Sequence, residues 1–170
     1  MRVEVEESLR AAGFLIRQNL VWVKNTMVLG RSDYHWQHEP ILAVEHAPIL
    51  YGFAGQREHG RMGRGGPWWY GGNDKTTVFY FDKPPAAREH PTMKPVELIL
   101  AMMANSVRPG WIVVDPFGGS GSTLLACELH GADARLVELD PRFVDVICGR
   151  WQKLTGELPT RDGVEVSFLP

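Results

Sequence analysis

Cysteine is nearly absent from this chain: Cys127 and Cys148 are the only two in 170 residues. That excludes a disulfide-stapled fold, and both positions fall within helical patterns, which predicts buried free thiols in a reducing compartment. Long apolar runs are missing too. No stretch approaches the roughly eighteen residues a membrane helix needs, and the N-terminus has no apolar leader core, so a soluble, cytoplasmic protein with no membrane partner is expected. Charge of one sign is also lacking, since 18 Lys and Arg stand against 20 Asp and Glu for a formal net charge of −2. Any contact with a polyanion must therefore rest on local charge. With 44% hydrophobic residues the chain can bury one core but not two.

Metal-site spacing is absent as well. His35, His38, Glu39, Glu45 and His46 cluster, but no H-E-x-x-H occurs, and Pro40 and Pro48 keep a helix from aligning them. No metal is expected.

The most informative stretch that is present runs from Trp111 to Thr123: an apolar strand ends at Asp115, passes through Pro116-Phe117-Gly118-Gly119-Ser120-Gly121, and opens into a helix. A second strand, expected over 134–139, carries Glu138 near its end. This is a half-Rossmann unit, in which glycines admit a ligand close to the backbone and a distal carboxylate accepts ribose hydroxyls. Two common ligands fail at named positions. A phosphate-cradling loop needs Lys before its Ser/Thr, whereas Ser122 precedes Thr123 here. The dinucleotide fingerprint needs a third glycine where this chain has Leu124. The turn fits a nucleoside ligand without pyrophosphate, and S-adenosylmethionine answers that description. As a residue-level alternative, Asp115 is a plain turn-former before proline.

Read together with His90-Pro91-Thr92-Met93-Lys94-Pro95, the glycine turn closely resembles the DNA amino-methyltransferases, in the class whose cofactor motif lies near the C-terminus. The likeness extends through Trp22-Val23-Lys24-Asn25, through Tyr34 to Leu42, and through Val137-Glu138-Leu139-Asp140-Pro141. It implies an α/β, Rossmann-like, S-adenosylmethionine-dependent methyltransferase fold over 1–170. Within it, 54–75 would be a target-recognition loop and 111–156 the cofactor half. It further implies that Phe117, Gly118, Gly119, Ser120 and Gly121 wrap the cofactor, that Asp115 lies near the methionine ammonium, and that Glu138 binds the ribose. Thr92, Lys94 and Pro95 would close over the methionine end, with Lys94 available to the carboxylate. Double-stranded DNA is the implied partner, and the target is adenine N6 or cytosine N4.

One departure stands out. The family's catalytic [DNS]-P-P-[YFW] loop has no counterpart in the chain; Asp82-Lys83-Pro84-Pro85-Ala86 lacks the aromatic and displaces the acid. The catalytic residues are thus unidentified, and the fold is expected to be incomplete, without the central strand that leads into that loop. Exposed strand edges of that kind pair with something else. A complementary chain supplying the loop is one expectation; a non-catalytic remnant or partner subunit that binds cofactor or DNA is the alternative. A nucleotide-dependent oxidoreductase is a remote third, favoured only by the half-Rossmann pattern.

Periodicity predicts a helix over 6–12, a strand over 14–23, a polar connector over 24–40, and a strand over 76–81 closing a hairpin. It then predicts helices from Pro95 to Ser106 and from Asp140 to Gly156, the latter with an apolar stripe of Phe143, Ile147, Trp151 and Leu154, and a last strand through Val164, Val166 and Phe168. His38-Glu39-Pro40-Ile41-Leu42 and His46-Ala47-Pro48-Ile49-Leu50 form an imperfect repeat. The loop holding Arg57, Arg61, Arg64, Trp68 and Trp69 combines cations for phosphates with aromatics for stacking. Its alternative reading is a solvated loop whose tryptophans cover a sheet edge.

Overall fold

The computed structural model describes residues 2–19, 21–28, 36–40, 50–54, 69–72, 74–82 and 93–169. The chain divides into two compact units, residues 1–67 with 72–83 and residues 68–71 with 84–170.

In the first unit, α1 (Arg2–Ala11) starts earlier than the sequence pattern suggested and gives way at Gly13, whose φ of 85° suits glycine. The strand expected over 14–23 is two strands with different partners. β1 (Phe14–Asn19) pairs antiparallel with β4 (Leu50–Ala54), from Phe14 opposite Ala54 to Asn19 opposite Leu50. β2 (Val21–Val28) runs on into the stretch expected as connector and lies between β3 (Trp36–Pro40), antiparallel, and β5 (Val78–Tyr80), parallel. Polar composition hid β2 and β3 because cross-strand ladders, more than intrinsic preference, decide strands.

The hairpin expected at 76–81 is corrected by the same pairing: Val21 faces Val78 and Val23 faces Tyr80 in parallel register. Alternation reveals a strand but not its direction or its partner. The imperfect repeat feeds two sheets, its first copy entering β3 and its second ending at β4, while residues 41–49 lie outside those described. Trp22, 4% exposed, donates its indole N–H to the Phe81 carbonyl at 2.9 Å.

The second unit is a β-α-β unit flanked by helices. α2 (Val96–Ser106) begins one residue after Pro95, whose ψ of 136° is extended. β6 (Ile112–Asp115) leads through the glycine turn to α3 (Ser122–His130), and β7 (Asp133–Leu136) returns parallel to β6, with Asp115 opposite Leu136. Among the described residues β6 pairs with β7 alone. Met103, Ala126 and Cys127 form the core, with Leu100, Val113 and Ala134 packed against it. Both thiols are free. Burial raises the pKa of Cys127 and of half-buried Cys148, with smaller contributions from Asp115 and Asp145 respectively.

α4 (Pro141–Thr155) starts as predicted, with Asp140 accepting from the Arg142 N–H, and ends at Gly156 with φ 78°. Of its expected stripe, Ile147 is buried, Phe143 and Trp151 are half-buried, and Leu154 is exposed. The last strand is corrected to a short hairpin, β8 (Thr160–Arg161) with β9 (Val164–Glu165), turning on Asp162 (φ 53°) and Gly163 (φ 81°). Asp-Gly is a strong signal for such a turn, and it outweighs the alternation that follows. Phe168 joins α4 instead: the Gln152 side chain accepts from the Phe168 N–H at 2.8 Å and donates to Ser167 Oγ at 3.1 Å.

Candidate functional site

The glycine turn is organised by Asp115. One carboxylate oxygen accepts from the Phe117 N–H at 3.0 Å, and the other accepts from the Thr123 hydroxyl at 2.6 Å. The side chain thus ties the end of β6 to the first turn of α3, including the turn-forming role that was its plainer reading. Within the loop, the Gly121 N–H donates to the Gly118 carbonyl and the Gly118 N–H to the Val137 carbonyl, each at 2.8 Å. Gly119 and Gly121 take φ of 54° and 78°, a left-handed backbone that suits glycine.

Glycine has a second cause at two of these positions. A Cβ on Gly121 would lie 2.9 Å from Cγ1 and Cγ2 of Ile147, and one on Gly118 would lie 3.2 Å from Ile147 Cδ1. The turn rests on α4, so packing as well as backbone conformation favours glycine there.

Glu138 follows β7 instead of lying within it, because the strand ends at Leu136. Its carboxylate turns back to the loop, accepting from the Gly119 N–H at 2.6 Å and from the Asp140 N–H at 3.0 Å. Backbone donors, Asp140 first and Gly119 next, hold this carboxyl below the usual carboxylate range. Asp140 is likewise held low by the Arg142 guanidinium, 2.6 Å away. Phe117 in the turn is 84% exposed and Leu139, next to Glu138 in the chain, is 97% exposed, so two large apolar side chains stand uncovered.

Lys94 comes to the same end of the unit. Its carbonyl accepts from the Ser122 hydroxyl at 2.8 Å, which binds the segment ahead of α2 to the start of α3. Desolvation pushes its ammonium below the usual lysine value, and the charge of Asp115 acts in the opposite direction. Pro95 is buried beside it, and Thr92 lies outside the described residues.

Sequence reasoning missed Arg150. From α4 it donates to the Ser120 carbonyl and stands 3.5 Å from Ser122 Oγ. Its signal was a cation one turn beyond Ile147, inside the apolar stripe of a helix where such a residue needs a reason.

Arg57, Arg61, Arg64 and Trp68 lie outside the described residues. Trp69 is half-buried, close enough to Gly71 that a Cβ there would lie 2.7 Å from its ring. Tyr70 donates its N–H to the Asn105 carbonyl at 2.8 Å, and the Arg108 guanidinium lies 4.4 Å from the Tyr70 ring centre. Of the histidine–glutamate cluster, His38 and Glu39 are in β3, while His35, Glu45 and His46 lie outside the described residues. No group of three metal-ligating side chains occurs among the described residues, and no helix there is long and apolar enough to cross a membrane.

An acid-ended strand, a left-handed glycine turn, a helix and a parallel strand followed by an acid that bonds back to the turn define a Rossmann-like α/β protein of the methyltransferase type. The chain belongs to the DNA methylase family, whose model matches residues 6–148. It is 28% identical over 148 residues to the type II methyltransferase M.Cfr9I of Citrobacter freundii, covering 85% of this chain and 47% of that protein. The same figures hold for the type II methyltransferase M.XycI of Xanthomonas campestris pv. cyanopsidis. The chain thus spans about half the length of the curated relatives it matches.

Solved structures agree on the fold. A complex of M1.HpyAVI with S-adenosylmethionine superposes with a TM-score of 0.65 at 21% identity, covering 87% of this chain and 68% of that one. TTHA0409 of Thermus thermophilus, complexed with S-adenosyl-L-methionine, gives 0.54 at 22% identity, covering 89% and 59%.

Proposed function

We propose that this chain is the cofactor-binding portion of a site-specific DNA amino-methyltransferase, acting on adenine N6 or cytosine N4 in a cytoplasmic restriction-modification setting. The observation that carries the reading is the bond from Gly119 N–H to Glu138 across the turn that Asp115 organises, in a chain of this family. Residues 1–170 would act as one methyltransferase-like domain, with 111–156 as its cofactor half and 54–75 as its target-recognition loop.

The residues fit S-adenosylmethionine by their donors and acceptors. Glu138, an acceptor whose carboxylate is now held by backbone donors, would accept two ribose hydroxyls in their place. Phe117 and Leu139 offer apolar surface to an adenine ring. Asp115 and Lys94 offer opposite charges to the ammonium and carboxylate of the methionine end. The third glycine of the dinucleotide fingerprint is replaced by Leu124, which disfavours NAD. Bound there, S-adenosylmethionine would supply a methyl group to the amine of a base rotated out of the duplex. The contribution of this chain is to hold and desolvate that donor so that it is aligned for in-line attack.

The [DNS]-P-P-[YFW] tetrapeptide does not occur in residues 1–170, so the reading assigns base capture to a complementary segment or chain. Among the described residues β6 pairs with β7 alone, and an open edge of that kind supports a strand arriving from elsewhere. The same observations favour the second reading, a partner subunit that binds cofactor without turnover.

Calorimetry with S-adenosylmethionine and with NAD tests the cofactor, and transfer of a tritiated methyl group to duplex DNA tests catalysis. The expected result is binding of the first ligand only, with little or no transfer by this chain alone. NAD binding without S-adenosylmethionine binding would overturn the methyltransferase reading. Appreciable turnover would overturn the assignment of catalysis to another segment.

A further inference from the structure

α4 holds the glycine turn at two points about one helical turn apart. Ile147 packs beneath Gly118 and Gly121. On the next turn of the helix, Arg150 Nη1 donates to the carbonyl of Ser120 and lies 3.5 Å from the hydroxyl of Ser122. That hydroxyl donates to the Lys94 carbonyl at 2.8 Å, and Ser120 Oγ stands 3.5 Å from it. Ser120 and Ser122 are each 6% exposed, so these polar groups have little water to turn to. One guanidinium therefore joins α4, the turn, and the segment ahead of α2.

Peptide planarity gives this contact its leverage. In a trans peptide the Ser120 carbonyl and the Gly121 N–H point in opposite directions within one plane. Fixing the carbonyl on the α4 side directs the Gly121 N–H toward the Gly118 carbonyl, and that 2.8 Å bond closes the turn around Gly119. Gly119 is the residue whose N–H meets Glu138. Arg150 is thus connected to the Gly119–Glu138 bond by one peptide plane and one turn.

We propose that Arg150 is a positioning residue: it sets the geometry of the cofactor turn and, through Ser122, its spacing from Lys94. This rests on the cofactor reading above. The cationic N–H suits the task because Nη1 alone meets both the carbonyl and the hydroxyl, a pairing that the ammonium of a lysine can reproduce and an apolar side chain cannot. Arg150 also lines a cavity of about 710 Å³, together with Asp145, Gly149, Lys153 and Phe168 among others.

The test is titration calorimetry of S-adenosylmethionine with the full chain and with R150M, R150K and S122A, alongside thermal melts of the ligand-free proteins. R150M should bind about tenfold more weakly or worse, R150K should recover to within about fivefold of the parent, and S122A should lose about threefold. The rescue by lysine separates positioning from packing, because methionine fills the space as well as lysine does. Parent-like affinity in both R150M and S122A would overturn the role of Arg150 and leave the cofactor reading standing. If R150M does not fold, S122A decides, and parent-like binding there has the same meaning. A folded parent that binds no S-adenosylmethionine would overturn the cofactor reading, and this inference with it.

Discussion

The two units of the molecule are ordered by different kinds of contact. Among the described residues of the first, order comes from ladders between strands distant in sequence: β1 with β4, and β2 between β3 and β5. The buried Trp22 finds its hydrogen bond at Phe81. The second unit adds short-range chemistry to the contacts that Glu138, Lys94 and Arg150 bring to the turn from farther along the chain. Asp115 bonds to Phe117 and Thr123, and Asp140 caps the helix that begins beside it. A site built from turns and caps is thus prepared by a few residues each, while a sheet must be assembled before any of its members is held.

Three experiments put that contrast at risk. The largest effect is expected from Trp22→Ala, which empties a site 4% exposed and removes the bond to Phe81; a loss of about 3–5 kcal/mol should appear in urea unfolding. A loss under about 1 kcal/mol would mean that the ladders alone order the first unit.

Next comes a pair in the second unit, Gly121→Ala and Gly131→Ala, since both glycines have φ 78°. At Gly131 an added methyl would meet Pro109 at an ordinary 3.6 Å, so only the left-handed backbone is penalised, by about 1 kcal/mol. At Gly121 the 2.9 Å approach of Ile147 adds overpacking, for about 2–4 kcal/mol in total, again by urea unfolding. Equal losses would show that α4 yields and that the turn is set by its own residues.

The smallest effect is a pH dependence. The folded-state pKa of Glu138 lies below its unfolded value, so its contribution is complete above the unfolded pKa and is lost as pH falls through the folded one. Asp140 acts in the same direction through Arg142. Unfolding midpoints measured from about pH 6 to pH 3 should therefore fall less steeply for Glu138→Gln than for the parent. Parallel curves would mean that the Gly119 and Asp140 amides are served as well by the uncharged side chain.

Much of the second unit was legible in the order of its residues. Asp140-Pro141, Gly131 and Gly156 announce helix ends through backbone preferences that need no partner, and the Asp115-to-Thr123 turn does the same for the site. Less was legible in the first unit. Thr76 to Phe81 alternates like any half-buried strand, and nothing in that alternation says that β5 runs parallel to β2. Asp162-Gly163 carries its own hairpin signal, masked by the apolar alternation that follows.

Residue order alone was enough for the family, the glycine turn, the helix caps and the acid that ends β6, because each depends on a residue's own conformational or hydrogen-bonding preference. The pairing of the strands, the reach of Glu138 back to Gly119, and the support of the turn from behind by Arg150 and Ile147 of α4 emerged only with the packed molecule. Those outcomes depend on which surfaces meet once apolar area is buried, and a linear pattern of residue types does not encode the identity of the neighbour.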